Sequence, residues 1–160
     1  MKNKPDGEDQ KRKPVSRAGD KRFWRRKPLA SLSRREWEAL CDRCGMCCVH
    51  KLEDEHTGQV YMTNVACRLL DVVSCQCSDY RHRRRLVPDC IRLTADNMGK
   101  AVHWLPASCA YRRLWEGKGL PMWHPLVTGD PESTERAGMS ARDRLIRVDN
   151  PDDLSRYVID

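Results

Sequence analysis

Eight consecutive residues, Cys41-Asp-Arg-Cys-Gly-Met-Cys-Cys48, put four thiols into one short segment. No other feature of the 160-residue chain restricts its fold as strongly. On a helix, at about 100° per residue, Cys41, Cys44 and Cys48 share a roughly 60° arc and Cys47 lies roughly 120° from Cys41. Ser33-Arg-Arg-Glu36 is a capping-box pattern, and Trp37, Leu40, Cys41 and Cys44 follow at helical spacing. The sequence therefore predicts a helix that starts at Ser33 and runs into the motif. Gly45 either ends that helix or lets the backbone approach a ligand closely. A disulfide within the motif is disfavoured, because adjacent Cys47 and Cys48 can close one only with a strained backbone. Thiolate coordination has no such restriction.

Five more cysteines follow, Cys67, Cys75, Cys77, Cys90 and Cys109, for nine in all. An odd number cannot all pair within the chain. Short thiolate hooks from separate segments are how zinc sites close a tetrahedron, and iron–sulfur sites use similar hooks. Sulfur-rich donor sets select zinc, Cu(I) or iron–sulfur over magnesium and calcium. Spacing alone does not separate zinc from iron, nor one centre from two. The Cys-x-x-Cys-x-x-Cys opening is shared with bacterial ferredoxins, but here the fourth cysteine follows at once and Val49 stands where those proteins carry proline.

Composition makes such a staple useful. Hydrophobic residues are 39% of the chain and charged residues 33%, with one Phe against five Trp, so the core is lean for its length. The aromatic rings of Trp104, Trp115, Trp123, Tyr80 and Tyr111 are expected to supply much of the buried area around the centre. The net charge of +7 is unevenly placed: residues 1–36 hold 13 Lys and Arg against 5 Asp and Glu, while the remainder is nearly neutral. Residues 1–22 are charged and free of aromatics, and read as a disordered basic arm with at most weak contact to RNA or a membrane surface. No run of about 18 apolar residues and no apolar stretch near the start occurs, so the expected location is cytoplasmic, where clustered thiols point to metal or catalysis.

Along the body, 49–53 and 59–63 read as two strands around the His56-Thr57-Gly58 turn. Residues 67–92 read as irregular. Thr94 is placed to cap a helix running to about Trp104, and 110–116 reads as a helix ended by Gly117. Residues 121–138 are rich in turns, and the neighbourhood of Leu145 and Arg147 suggests a last strand. The expected fold is a small, irregular, cysteine-rich α+β domain over residues 23–160, stabilised by its metal, behind the arm at 1–22.

Other candidates are weaker. His50, His56, His82, His103 and His124 can each ligate a metal or move a proton, with His124 in Trp123-His124-Pro125 the foremost. Arg81, His82, Arg83, Arg84 and Arg85 form a basic run that is either a solvated face, an anion contact or a counter-charge to thiolates, with Asp79 and Asp89 as pairing partners. No G-x-S-x-G, G-x-G-x-x-G or P-loop occurs, which sets aside hydrolases, dehydrogenases and NTPases built on those motifs.

Several stretches together resemble a known family. They are the segment 41–48, Gly58-Gln-Val-Tyr61, Ala66-Cys-Arg-Leu-Leu-Asp71, Cys75-Gln-Cys-Ser-Asp-Tyr80, Val87-Pro-Asp-Cys90, residues 104–113 and Trp123-His-Pro-Leu-Val-Thr-Gly-Asp130. The chain resembles the YcgN-type family of bacterial proteins, within the CxxCxxCC group described as a zinc- or iron-chelating domain. The resemblance covers roughly residues 30–150 and implies metal ligands at Cys41, Cys44, Cys47 and Cys48 together with Cys67, Cys77 and Cys90. Cys75 and Cys109 look particular to the YcgN type. Cys77-Ser-Asp-Tyr80-x-x-Arg83 is similar to the group's Cys-x-x-Tyr-x-x-Arg element, except that Arg84 stands where the group carries proline. The flagellin lysine methylases carry the same cysteine motif on a larger chain.

Three functions follow as alternatives. The first is a zinc- or iron-binding module or adaptor, with a metal ion and a protein as partners. The second is an iron or iron–sulfur enzyme, and the third a thiol redox sensor.

Overall fold

The computed structural model describes residues 22–150 and 152–159. The expected basic arm therefore lies outside the described residues, apart from Arg22. What is described is a small α+β fold of short elements joined by tight turns.

The capping box at Ser33 forms as the sequence predicts. Ser33 Oγ accepts from the Glu36 backbone N–H at 3.3 Å, and Glu36 Oε2 accepts from the Ser33 N–H at 2.9 Å. These bonds satisfy free donors at the start of α1, Arg34–Ala39. The helix does not continue into the cysteine motif, and this corrects the predicted arc of thiols. Leu40 is the C-cap and is completely buried. Beyond it Arg43 has φ 57° and Gly45 φ 77°, so the motif is a loop, followed by a single 3-10 turn at Met46–Cys48.

The turn feeds directly into β1, Val49–Glu53, which pairs antiparallel with β2, Val60–Ala66. The expected strands and turn are both present. Val49 faces Ala66 and Lys51 faces Met62, so β2 carries two more residues than β1 over that interval and bulges. Thr63, wholly buried, fills the bulge by donating its hydroxyl to the His50 carbonyl at 2.7 Å. The outer edge of the bulge takes other partners: Val65 bridges Ile146 in parallel, and Thr63 bridges Val158. The expected last strand is thus reduced to a bridge at Ile146. A two-residue hairpin of β3, Leu70–Asp71, and β4, Gln76–Cys77, follows, then α2, Arg83–Leu86, within the stretch read as irregular.

Thr94 caps as expected, with Asn97 completing the box, but a 3-10 turn precedes α3, Met98–Ala101, and another closes it at Val102–Trp104. The α4 helix is Ala110–Trp115, and Gly117 beyond it has φ 72°. Two four-residue helices, α5 at Pro125–Thr128 and α6 at Ser133–Arg136, organise the turn-rich segment.

The main core gathers Phe23, Trp24, Leu40, Met98, Leu105, Ala110, Tyr111 and Leu120. Of the rings expected inside, Tyr111 is buried, while Trp115 and Tyr80 are 47% and 49% exposed. Tyr80 lies outward because its hydroxyl donates to Glu38 at 2.9 Å, a carboxylate that itself stays in water. The missing area is supplied instead by Phe23 and Trp24, stacked edge to face with centroids 5.4 Å apart.

Gly45 is where the motif loop meets the rest of the chain. A Cβ there would lie 3.1 Å from Cys75 Sγ and 3.4 Å from Ala141 Cβ, on top of the left-handed φ. The close approach is to protein rather than to a ligand. Gly45→Ala is expected to lower stability by about 2 kcal/mol or more, because overpacking adds to the left-handed penalty. Gly58→Ala should lose only the backbone share, since its Cβ would meet nothing nearer than Glu53 Oε1 at 3.9 Å. Urea unfolding of the two variants checks the difference.

Candidate metal centre

All nine cysteines are free thiols. Secondary structure brings most of them together. The Cys67 N–H donates to the Cys48 carbonyl at 2.9 Å, so the end of β2 lies beside the end of the motif. The Leu70 N–H in turn donates to the Cys67 carbonyl at 2.9 Å, and Leu70 pairs with Cys77 across the small hairpin. Arg68 donates to the Leu86 carbonyl, which ties α2 and the loop to Cys90 onto the same turn. Cys109 caps α4 beneath the motif and packs against the core.

The thiols act on one another electrostatically. Cys41 feels Cys47 and Cys109, Cys48 feels Cys47, Cys41 and Cys67, and Cys90 feels Cys67 and Cys77. Cys75 stands apart. It is buried beneath Gly45, with its sulfur 3.7 Å from Ser140 Oγ.

Gathering thiols raises their proton affinity. Protein packed around its sulfur pushes Cys41 up to about 12, with Cys47 adding to the shift, although the residue as a whole remains exposed. Burial likewise pushes Cys109 up to about 12 and Cys44 well above the ordinary 9.0, and it raises Cys90 against the pull of Arg83. Cys47 goes the other way. Its sulfur is 3.7 Å from Cys48 Sγ, and a hydrogen bond from the Cys48 thiol favours the Cys47 thiolate, bringing it to about 7 against desolvation. The Lys51 ammonium helps, and Cys48 is pushed up by the same bond.

Among the described residues, no group of three or more His, Cys, Asp or Glu side chains is arranged so that it could hold a metal ion. The donor chemistry suits a soft ion, but the thiols are neighbours without a closed coordination shell. A polar cavity of about 70 Å³ beside Asp42 and Arg43 is lined by none of the cysteines.

Comparison with known proteins agrees with the motif. Residues 40–110 match the CxxCxxCC family, "Putative zinc- or iron-chelating domain". A UPF0260 protein of Rhizorhabdus wittichii is 54% identical over 142 residues, 89% of this chain and 97% of its own. The chain belongs to the UPF0260 family. UPF0260 proteins of Caulobacter vibrioides and Azotobacter vinelandii are 55% and 56% identical, over 79% and 78% of this chain and 77% and 83% of theirs. No solved structure matches. In this UPF0260 chain no helix among the described residues is long and apolar enough to cross a membrane.

The histidines take other roles than the sequence suggested. His124 is completely buried, with Nε2 donating to the Leu40 carbonyl at 3.0 Å and Nδ1 accepting from the Leu126 N–H at 3.0 Å. A carbonyl can only accept and an amide N–H can only donate, so the ring is the neutral Nε2–H tautomer with both nitrogens engaged. It positions the motif and is not a ligand. His82 pairs with Asp79 at 3.0 Å, so that carboxylate serves a histidine instead of an arginine. His50, His56 and His103 are exposed.

Within the basic run, Arg83 is distinguished. Its guanidinium lies 3.7 Å above the Tyr80 ring, donates to the Tyr80 carbonyl at 2.5 Å and pulls the Cys90 thiol down against burial. Arg81, Arg84 and Arg85 are exposed.

Sequence reasoning missed Lys51. Its Nζ donates to the Cys47 carbonyl at 2.8 Å and the Val49 carbonyl at 3.1 Å. Burial lowers its pKa below the usual 10.5, and Cys47, Cys48, Cys67 and Cys90 pull it back up. A lysine four residues past Cys47, in a strand that leaves the motif directly, was the available signal.

Burial lowers the pKa of His124 below its usual 6.5, so the unfolded chain takes up this proton first as the pH falls. Its contribution is fully present above about 6.5 and is lost below that. Cys47, lowered from 9.0 to about 7, has its window higher, and the raised thiols stay protonated in both states at that acidity. For metal-free protein, stability is therefore expected to fall as the pH drops below about 6.5, with a slope of at most about 1.4 kcal/mol per pH unit from this one group. His124→Gln should be less stable at neutral pH and show a shallower decline there. Urea unfolding across that range measures both.

Proposed function

We propose that this chain is a metal-chelating module in which thiolates from the 41–48 loop and from the Cys67, Cys77 and Cys90 segments take up zinc or iron, an iron–sulfur cluster being one form of the latter. The observation that carries this reading is convergence: sulfurs from the motif turn, the end of β2 and the loop after α2 all act on one ammonium, that of Lys51. Convergence of free soft donors from distant segments is costly unless something links them, and a thiophilic ion does so. The family description, a zinc- or iron-chelating domain, agrees.

In this reading Cys41, Cys44, Cys47 and Cys48 supply one side of the centre, and Cys67, Cys77 and Cys90 supply the other. Cys109 lies within reach of the first set through Cys41 and Cys47. Cys75 is a structural thiol under Gly45. Binding draws the neighbouring sulfurs into a closed shell and expels their protons, so the metal contributes directly to folding stability, on the order of 10 kcal/mol for a structural zinc. A reducing compartment such as the cytoplasm suits reduced thiols of this kind.

Protein purified without oxygen is expected to carry stoichiometric zinc or iron by elemental analysis, with visible absorbance if iron–sulfur. A strong chelator should lower its thermal midpoint. A metal-free preparation with no uptake of zinc, iron or cobalt, and a melt indifferent to chelator, would falsify the reading.

Two further outcomes test the ligand set. Because thiols must lose their protons to bind, and Cys41, Cys44, Cys48 and Cys90 hold theirs more tightly than usual, apparent zinc affinity should climb with pH between about 6 and 9, with more than one proton released per ion. Cys67→Ser should lose thiolate-to-cobalt charge-transfer intensity in the cobalt-substituted protein, while Cys75→Ser should keep it.

A further inference from the structure

We infer that Lys51 is a fixed counter-cation built into the thiolate centre, acting through the sulfurs and not as a ligand. This rests on the metal-chelating reading above and deepens it by naming what balances the centre's charge.

Four thiolates around a divalent ion leave an excess negative charge in a partly desolvated place, and partners around the ligands determine how well that charge is tolerated. The exposed arginines of the 81–85 run are poor candidates, since water screens them. Lys51 is differently placed. It follows Val49 by two residues in β1, so the two share a face of the strand, and Val49 is buried. Its ammonium is held at two points, by the Cys47 and Val49 carbonyls at 2.8 and 3.1 Å. Both carbonyls belong to the chain that leaves the motif, so the cation is fixed relative to the sulfurs of Cys47 and Cys48.

An ammonium has three N–H donors, and the two carbonyls use two of them. The Cys67 N–H donates to the Cys48 carbonyl at 2.9 Å, and the same ammonium, anchored on the Cys47 carbonyl, interacts electrostatically with Cys47, Cys48, Cys67 and Cys90. Arg83 supplies a second cation, stacked on Tyr80 and drawing Cys90 toward the thiolate. Lys51 therefore interacts with thiols of both halves of the ligand set, and a positive charge there lowers the cost of bringing them together.

The test is competition of Zn²⁺ between a chelator and the full chain carrying Lys51, Lys51→Met, Lys51→Gln or Lys51→Arg, with metal-free melts of all four. The Met and Gln variants are expected to bind zinc about 10- to 100-fold more weakly, the loss typical of partners one shell out from the metal. The Gln side chain retains a carbonyl hydrogen bond without charge, so it separates charge from packing if the Met variant folds poorly. The Arg variant, which keeps the charge, should recover most of the affinity, to within about threefold of the parent. Wild-type affinity in both neutral variants overturns the inference and leaves the chelating module standing. An Arg variant as weak as the Gln variant overturns it too, since charge would then not be what matters. Failure of the parent chain itself to bind zinc or iron removes the chelating reading, and this inference with it.

Discussion

The arrangement of this domain depends on what happens to one carbonyl. When α1 stops at Ala39, its last carbonyls lose their helical partners, and that of Leu40 lies in a completely buried residue. Left alone, a buried carbonyl costs about 1–3 kcal/mol. The imidazole of His124 meets it at 3.0 Å, while the same ring caps α5 through Leu126. One neutral side chain thus fixes where the helix ends and where the cysteine loop begins, and joins that point to a helix more than 80 residues away in sequence. Because the loop starts there, the motif's thiols are released from helical geometry and are free to point where the later segments are.

Those later segments are held by the chain near the C-terminus. The Ala141 N–H donates to the Cys44 carbonyl at 2.7 Å, Ile146 exchanges backbone bonds with Asn64 and Ala66, and Arg147 donates to the Leu70 carbonyl at 2.6 Å. Residues 141–147 therefore cross the motif loop, the bulge of β2 and the turn that carries Cys67. The match to the CxxCxxCC domain ends at residue 110, so the crossing segment lies beyond it. The bonds made by residues 141–147 restrict how far the cysteine-bearing segments can separate.

Electrostatics gives the cluster its character. Cys41, Cys44, Cys48, Cys90 and Cys109 are held protonated by burial and by neighbouring thiols, whereas Cys47 is drawn toward the thiolate by Cys48 and Lys51. A set of sulfurs in this condition is stable as a group of neutral thiols and highly charged once deprotonated. Lys51 draws Cys47, and Arg83 draws Cys90, toward the charged form.

Much was legible before any coordinates. The box at Ser33 and Glu36, the strand pair around Gly58, the cap at Thr94 and the helix after Cys109 rest on local rules, a side chain meeting a backbone group a few residues away, and each occurs where its residues stand. The cysteine motif and its family were legible because spacing is a property of the chain. Tertiary structure decided the rest. Helical spacing at Trp37, Leu40 and Cys41 was a true local tendency, overridden because His124 claimed the carbonyl that another turn would have used. Tyr80 and Trp115 were misplaced because size says a ring is worth burying, while only the fold says whether room and a polar partner exist on that side. The thiols looked alike in sequence, and Cys75 was set apart only by Gly45, Ser140 and Ala141 closing over it. Lys51 became notable only when the fold anchored its ammonium on the Cys47 and Val49 carbonyls, within the field of several thiols, since the field at a point depends on which charges are near it in space.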